Sequence, residues 1–292
     1  MDVQLPHSLE EALAMKAERP EAILLAGGTD VMVDVNFGRL RPPAIIDLSR
    51  VTELATWRQE NGHVFLGAGL TYARIVEQMS AFKPLVQASR SVGSPQIRNR
   101  GTVGGNLGTA SPAGDALPVL AAYDADVVVR SRARGERSMP WQAFLTGPKK
   151  TALAADELII GARWLRLRGA GSFSKIGTRN AMVIAIAGLC LVIDEERHRV
   201  NVALGSVGPT IIRAKEAEQQ MASAMESSHS WQDPSVTLPD AVLDQFADLV
   251  VSAAQPIDDV RGSAAYRRHA CRVLARRAIT WALNERRLPA WL

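Results

Sequence analysis

Arg100-Gly101-Thr102-Val103-Gly104-Gly105-Asn106-Leu107-Gly108-Thr109-Ala110-Ser111-Pro112-Ala113-Gly114-Asp115 is a run around which the remainder of the chain is organised. It sets glycine at four non-periodic positions between 101 and 108, hydroxyls at Thr102, Thr109 and Ser111, and a carboxylate at Asp115. The mixture reads as a loop, because each glycine costs backbone entropy and contributes no packing. Dense glycine lets a backbone come close to another group, and successive N–H groups that turn into a concavity suit an anion. Neighbouring hydroxyls add donors that rotate towards phosphate oxygens. A phosphate-bearing cofactor is the first reading, and a tight surface loop between helices is the alternative this stretch leaves open.

A second stretch shifts the balance. Ala22-Ile23-Leu24-Leu25-Ala26 is an apolar run of strand length that ends directly in Gly27-Gly28-Thr29-Asp30. A buried strand opening into such a turn presents another set of free N–H groups. Neither segment is a Walker A sequence, since no Gly-Lys-Ser or Gly-Lys-Thr follows. Gly67-Ala68-Gly69 begins like a dinucleotide fingerprint, but Tyr72 stands where the third glycine belongs, which excludes a Rossmann reading. Two glycine–threonine segments without either fingerprint point to a pyrophosphate held by a different architecture.

Further matching pieces follow in order: Ile97-Arg98-Asn99 ahead of the glycine stretch, Phe173-Ser174-Lys175, Arg179-Asn180-Ala181, Ala203-Leu204-Gly205-Ser206-Val207-Gly208-Pro209-Thr210, Arg213-Ala214, and Tyr266-Arg267-Arg268 leading into an arginine-rich helix. Together these segments resemble the FAD-binding (medium) subunit of the molybdenum hydroxylases, the family of carbon monoxide dehydrogenase and of the flavin domain of xanthine dehydrogenase. The likeness covers nearly the whole chain. It implies an α+β fold: a two-part FAD-binding domain of the vanillyl-alcohol-oxidase-like type, followed by a C-terminal domain of antiparallel sheet plus helices. The divisions it implies are 1–55 and 56–172 for the two FAD-binding subdomains and 173–292 for the C-terminal domain. Carried over residue by residue, it implies FAD contacts at Leu25, Ala26, Gly27, Gly28, Thr29, Asp30, Thr102, Gly104, Gly105, Asn106, Thr109, Ser111, Asp115, Ile159 and Lys175. Lys175 is the candidate residue for tuning the flavin. Family members often carry an aromatic residue just before this lysine, whereas here Ser174 stands there and Phe173 one step earlier. No side chain is implied as catalytic.

Composition agrees independently. At 292 residues the chain exceeds what one core organises, so two or three subdomains are expected. A hydrophobic content of 47% with 22% charged residues marks an ordinary globular protein. No apolar run approaches membrane-spanning length. Met1-Asp2-Val3-Gln4 with Pro6, His7 and Glu10 is not a basic-then-apolar signal, so a cytoplasmic location is expected. The two cysteines, Cys190 and Cys271, are too few for an iron–sulfur cluster, and Cys190 reads as a packed small hydrophobe. The five histidines are scattered without ligand spacing, so no metal site is expected.

Along the chain, residues 8–19 read as a helix with Ser8 as N-cap, Glu11 as the capping-box carboxylate and Pro20 as the stop. Strands are expected at 22–26, 44–48 and 64–69. Thr71 caps a helix, and another helix holds Leu85, Val86 and Ala88. Asp115 opens a helix through Leu120, where its charge suits the positive end of the dipole and also suits a cofactor hydroxyl. Val127-Val128-Val129 and Glu157-Leu158-Ile159-Ile160 are strands, with Trp141 and Phe144 between them packing on the sheet. An apolar run from Ala181 to Ile193 and the segment Val200–Leu204 form a hairpin. Helices are expected at about 212–226, 240–253 and 263–285, the last with Ala270, Leu274, Ala278 and Trp281 on one face.

The net charge of +4 is unevenly placed, with eight arginines and a single acidic residue, Glu285, from Arg261 onward. These arginines fall on several faces without a stacking platform, so they read as a solvated or subunit-facing helix and no nucleic-acid partner is expected. The resemblance implies partners instead: a small subunit with 2Fe–2S clusters, a large molybdopterin subunit and an external electron acceptor, assembled as a dimer of heterotrimers. The other readings are a self-contained FAD-dependent oxidoreductase, which requires a substrate constellation that the residues do not display, and a non-catalytic nucleotide-binding protein.

Overall fold

The computed structural model describes residues 2–288, which form two compact units. The first comprises Met1–Gln78, Val92–Ser111 and Asp124–Leu165; the second comprises Met79–Ser91, Pro112–Tyr123 and Arg166–Leu292.

The first unit holds two sheets. Strands Asp2–Gln4, Ala44–Asp47 and Ile23–Leu25 lie parallel, with Ala44–Asp47 in the centre. Helix Leu9–Glu18 links the outer pair and buries Ala12, Leu13 and Lys16. Ser8 caps that helix by accepting from Glu11 N–H, but the Glu11 carboxylate takes the N–H of His7 instead of the cap residue's own. Lys16 is kept among these apolar residues by donating to the carbonyls of Pro20 and Ala22, and burial lowers its pKa. The second sheet is antiparallel, in the order Trp57–Glu60, His63–Gly67, Glu157–Leu165, Asp126–Ser131, Gly135–Pro140. Leu158 and Ile160 pack with Ala12, Leu13, Leu54 and Val128 in one core cluster. Trp141 and Phe144 are buried, as the sequence suggested, on a short helix.

The second unit is built on an antiparallel sheet, Gly171–Ile176, Ala187–Asp194, Arg199–Gly205, Ile212–Arg213. Every residue of Ala187–Asp194 is buried, which marks a strand covered on both faces. Side chains alternate across a strand. Ala187, Leu189, Leu191 and Ile193 accordingly join a core with helices Lys215–Ser227, Asp240–Ala253 and Ala264–Arg286. On the Cys190 face, helices Lys83–Ser91 and Ala116–Ala122 supply the cover. Phe173 is buried there beside Cys190, and its N–H donates to Gln87.

Three expectations are corrected. The helix expected from 212 begins at Lys215, because Ile212 and Arg213 first pair with Leu204 and Ala203. Trp281 is 49% exposed, and Ala282, four residues after Ala278, lies in the core instead. The C-terminal arginines are largely neutralised within the unit. Arg286 is buried on Glu195, Arg267 is buried on Asp259, and Arg272 and Arg276 form a ladder with Asp240, Asp244 and Asp248 of the neighbouring helix.

Candidate functional site

In the first unit, strand Ile23–Leu25 runs through Ala26 into the turn 27–30. A Cβ on Gly27 would lie 2.0 Å from the carbonyl oxygen of Arg100, so only glycine lets the two glycine segments meet backbone to backbone. Gly28 has φ +76°, the left-handed region. Among the described residues, the N–H groups of Gly28, Thr29 and Asp30 donate to no acceptor. Successive free N–H groups around a left-handed residue form an anion-binding concavity. Asp30 accepts from the Thr109 hydroxyl at 2.8 Å, which ties this turn to the far end of the second glycine segment.

That second segment is not a loop. Residues Val103–Thr109 form a helix, capped by Thr102 Oγ1 accepting from Gly105 N–H at 3.0 Å. Gly104 N–H donates to Ala68 and Asn106 N–H to Thr102, so the N–H groups at 104–106 are spent inside the unit. The N–H groups left without an acceptor lie instead in the turn at 28–30. Asn106 contributes differently, because its Oδ1 is a buried oxygen with no partner. Ile159 faces the same helix, its Cδ1 being 3.7 Å from where a Gly108 side chain would begin. Leu25 and Ala26 are half-buried and lead into the turn, and Ser111 ends this unit's central segment.

In the second unit, Pro112 accepts from Ser206 N–H, and Asp115 follows at the start of helix Ala116–Ala122. Asp115 makes no capping bond to that helix. Its Oδ2 instead accepts from Lys175 Nζ at 2.6 Å and from the Ser91 hydroxyl at 3.0 Å. Lys175 also donates to the Ser91 carbonyl, and its side chain is only 9% exposed. The strand carrying it is an edge strand, yet the lysine is not a surface residue. Burial pushes the Asp115 carboxyl above its ordinary range, against the opposing pull of Lys175 and of the two hydrogen bonds. The far end of helix Ala116–Ala122 is held by Asn201 on Ala122 and Arg213 on Ala121. Ser91 and Asn201 were not singled out from sequence, because a serine in a helix and an asparagine in a strand carry no motif.

Residues 1–163 match the family model of the FAD binding domain in molybdopterin dehydrogenase, and residues 172–282 match the CO dehydrogenase flavoprotein C-terminal domain. The chain belongs to the FAD-binding subunits of the molybdenum hydroxylases. This flavoprotein subunit is 32% identical to the nicotinate dehydrogenase FAD-subunit of Eubacterium barkeri, over 82% of this chain and 85% of that one. It is 31% identical to the 6-hydroxypseudooxynicotine dehydrogenase complex subunit alpha of Paenarthrobacter nicotinovorans, over 98% and 95%. A chain of quinoline 2-oxidoreductase from Pseudomonas putida 86 shares the fold, with a TM-score of 0.86 at 22% identity, covering 99% of this chain and 98% of that chain.

FAD fits what the flavoprotein subunit offers. In the first unit, the N–H groups at 28–30 suit a phosphate, and the orphaned Asn106 Oδ1 suits a hydroxyl or N–H donor.

Proposed function

We propose that this chain is the electron-transfer subunit of a heterotrimeric molybdopterin-dependent dehydrogenase. It takes electrons from the 2Fe–2S clusters of a small partner subunit and passes them to an external acceptor, while substrate is hydroxylated on a large molybdopterin subunit. The observation that carries the cofactor reading is the unspent N–H array of Gly28, Thr29 and Asp30, seated by Gly27 on the backbone of Arg100. The names of two relatives, a FAD-subunit and a complex subunit, support the assembly.

In this reading Leu25, Ala26, Gly27, Gly28, Thr29 and Asp30 hold the pyrophosphate, and Asn106, Thr109, Ser111 and Ile159 contact the rest of the dinucleotide. Thr102, Gly104 and Gly105, at the start of the helix that carries Asn106, contact the cofactor there as well. Asp115 and Lys175 stand at the redox end. When bound, the isoalloxazine ring supplies the redox chemistry, and the protein supplies position and electrostatics. Lys175 would place a positive charge beside the ring, and Asp115 would moderate that charge. The division into 1–55, 56–172 and 173–292, a cytoplasmic setting and a dimer of heterotrimers belong to the same proposal. Each of the three segments contains the greater part of one of the three larger sheets.

The test is cofactor analysis of the purified chain. Acid precipitation should release FAD, one per chain, into the supernatant, because neither histidine nor cysteine lies in either glycine segment. Release of FMN, or yellow colour retained in the pellet, would sink this reading.

A further inference from the structure

Within the second unit, Asp115, Lys175 and Ser91 come from a loop, a strand and a helix end to form one buried cluster whose donors are unevenly spent. Both hydrogen bonds to the carboxylate end on Oδ2, from Lys175 Nζ at 2.6 Å and Ser91 Oγ at 3.0 Å. Among the described residues Oδ1 accepts none. An ammonium carries three N–H groups. Lys175 spends one on Asp115 and one on the Ser91 carbonyl at 3.0 Å, and the third meets no acceptor among the described residues. The Ser91 hydroxyl has the opposite imbalance. Its single proton has two acceptors within reach, the Ala88 carbonyl at 2.7 Å and Asp115 Oδ2 at 3.0 Å.

Such a hydroxyl serves either charge state of Asp115. Beside a carboxylate its proton points to Oδ2. Beside a carboxyl protonated on Oδ1, it turns to Ala88, the shorter contact, and Oδ2 keeps Lys175. The charge balance around Asp115 is equally open to change. Burial pushes the carboxyl up, and Lys175, acting first by its charge, pulls it down. The residues level with Lys175 on the next two strands are Gly188 and Gly205, which carry no charge. Further along that face, burial keeps Cys190 and Tyr123 neutral, and Asp194 is paired with Arg197 and Arg199. On helix Lys83–Ser91, Lys83 is paired with Glu285 and Arg90 is exposed. A negative charge arriving beside Lys175 would cancel its pull and leave burial to decide, which favours the neutral carboxyl.

We propose that Asp115 takes up a proton on Oδ1 when electrons enter a flavin bound beside Lys175, and that Ser91 is the positioning residue, its hydroxyl swinging from Asp115 to the Ala88 carbonyl. The proton comes from solvent as the electron pair arrives from the donor, and it returns to solvent when the pair leaves for the acceptor. This rests on the function proposed above, since it takes the incoming charge to be that of flavin reduction.

The test is reduction of the FAD-loaded chain in weakly buffered solution, with proton uptake and the infrared difference spectrum recorded against pH. Between the pH values at which Asp115 titrates with oxidised and with reduced flavin, wild type should take up about one proton per flavin more than Asp115→Asn. It should also gain a carboxylic C=O band that Asp115→Asn lacks. Ser91→Ala removes a donor to the charged form, so the uptake profile should move upward by about one pH unit. Ser91→Thr keeps the hydroxyl and should bring the profile back. The two Ser91 variants retain Asp115 and Lys175, so they carry the test where Asp115→Asn does not fold. With FAD bound, proton uptake equal in wild type and Asp115→Asn overturns the proposal, and so does a Ser91→Ala profile superposed on that of wild type. Either result leaves the cofactor reading standing, whereas a chain that yields no FAD on acid precipitation overturns both.

Discussion

At the scale of single residues, the pair that matters most is Lys175 and Asp115, 60 positions apart and 2.6 Å from each other. The sequence offered each residue alone: a lysine near the flavin, and an acid suited to a helix dipole or a cofactor hydroxyl. Their contact changes what a substitution tests. Lys175→Met leaves Asp115 buried without its cation, and breaking one side of a buried pair costs roughly 3 kcal/mol. The melting temperature should fall along with the flavin midpoint potential. Adding Asp115→Asn removes the stranded charge, so the double variant should recover most of the stability and much of the potential. A double variant no more stable than Lys175→Met would show that the pair is not energetically coupled.

At the scale of elements, helix Val103–Thr109 forms despite its glycines because its neighbours require them. A Cβ on Gly104 would stand 2.6 Å from Ala68 Cβ and 2.7 Å from its carbonyl oxygen, whereas one on Gly105 would meet only Thr102 Oγ1, at 3.2 Å. Gly104→Ala should therefore destabilise by about 1–3 kcal/mol through overpacking. Gly105→Ala should be near neutral, because alanine's helix preference of about 1 kcal/mol over glycine offsets the tight contact. Thermal melting of the two variants decides it, and equal losses would contradict the geometry. Strand Glu157–Leu165 carries a second testable feature. The buried Glu157 carboxylate accepts from Arg137 at 2.7 and 2.8 Å and from Ala154 N–H at 2.8 Å. The Arg137 guanidinium first, and the backbone donor after it, hold its pKa down, from 4.5 to about 2. A carboxylate depressed on folding stabilises fully above its unfolded value and loses that contribution as pH falls from about 4.5 towards 2. Glu157→Gln should cost about 2 kcal/mol at pH 7, allowing for the half-exposed arginine, and should flatten the stability profile across that acid window.

At the scale of the whole molecule, the described residues hold no group of three or more histidine, cysteine or acidic side chains able to bind a metal ion. Both cysteines are buried thiols; burial pushes Cys271 up to about 12 and Cys190 higher still. Among the described residues no helix is long and apolar enough to cross a membrane. On the proposed subunit reading, the purified chain should bind FAD and show negligible dehydrogenase activity with any organic substrate. Addition of the iron–sulfur and molybdopterin subunits should restore turnover, followed as reduction of an artificial acceptor. Enzymatic turnover by the single chain would replace the subunit reading with a self-contained flavoenzyme.

Features that depend on local chemistry and on the order of segments are legible in the chain alone. The succession of glycine segments identified the family, the apolar alternation placed the hairpin of Ala187–Asp194 and Arg199–Gly205, and caps and periodicity placed the helices at 9–18, 240–253 and 264–286. Tertiary structure decided which polar groups are already satisfied. Whether a glycine N–H faces an anion or a neighbour's carbonyl depends on Ala68, which precedes Gly104 by 36 positions and whose approach no local pattern encodes. The same holds for Gly27 beneath Arg100, 73 positions apart, and for the lysine that takes up Asp115. A buried donor or acceptor must find a partner, and the partner it finds is settled by packing between distant segments rather than by its neighbours in the chain.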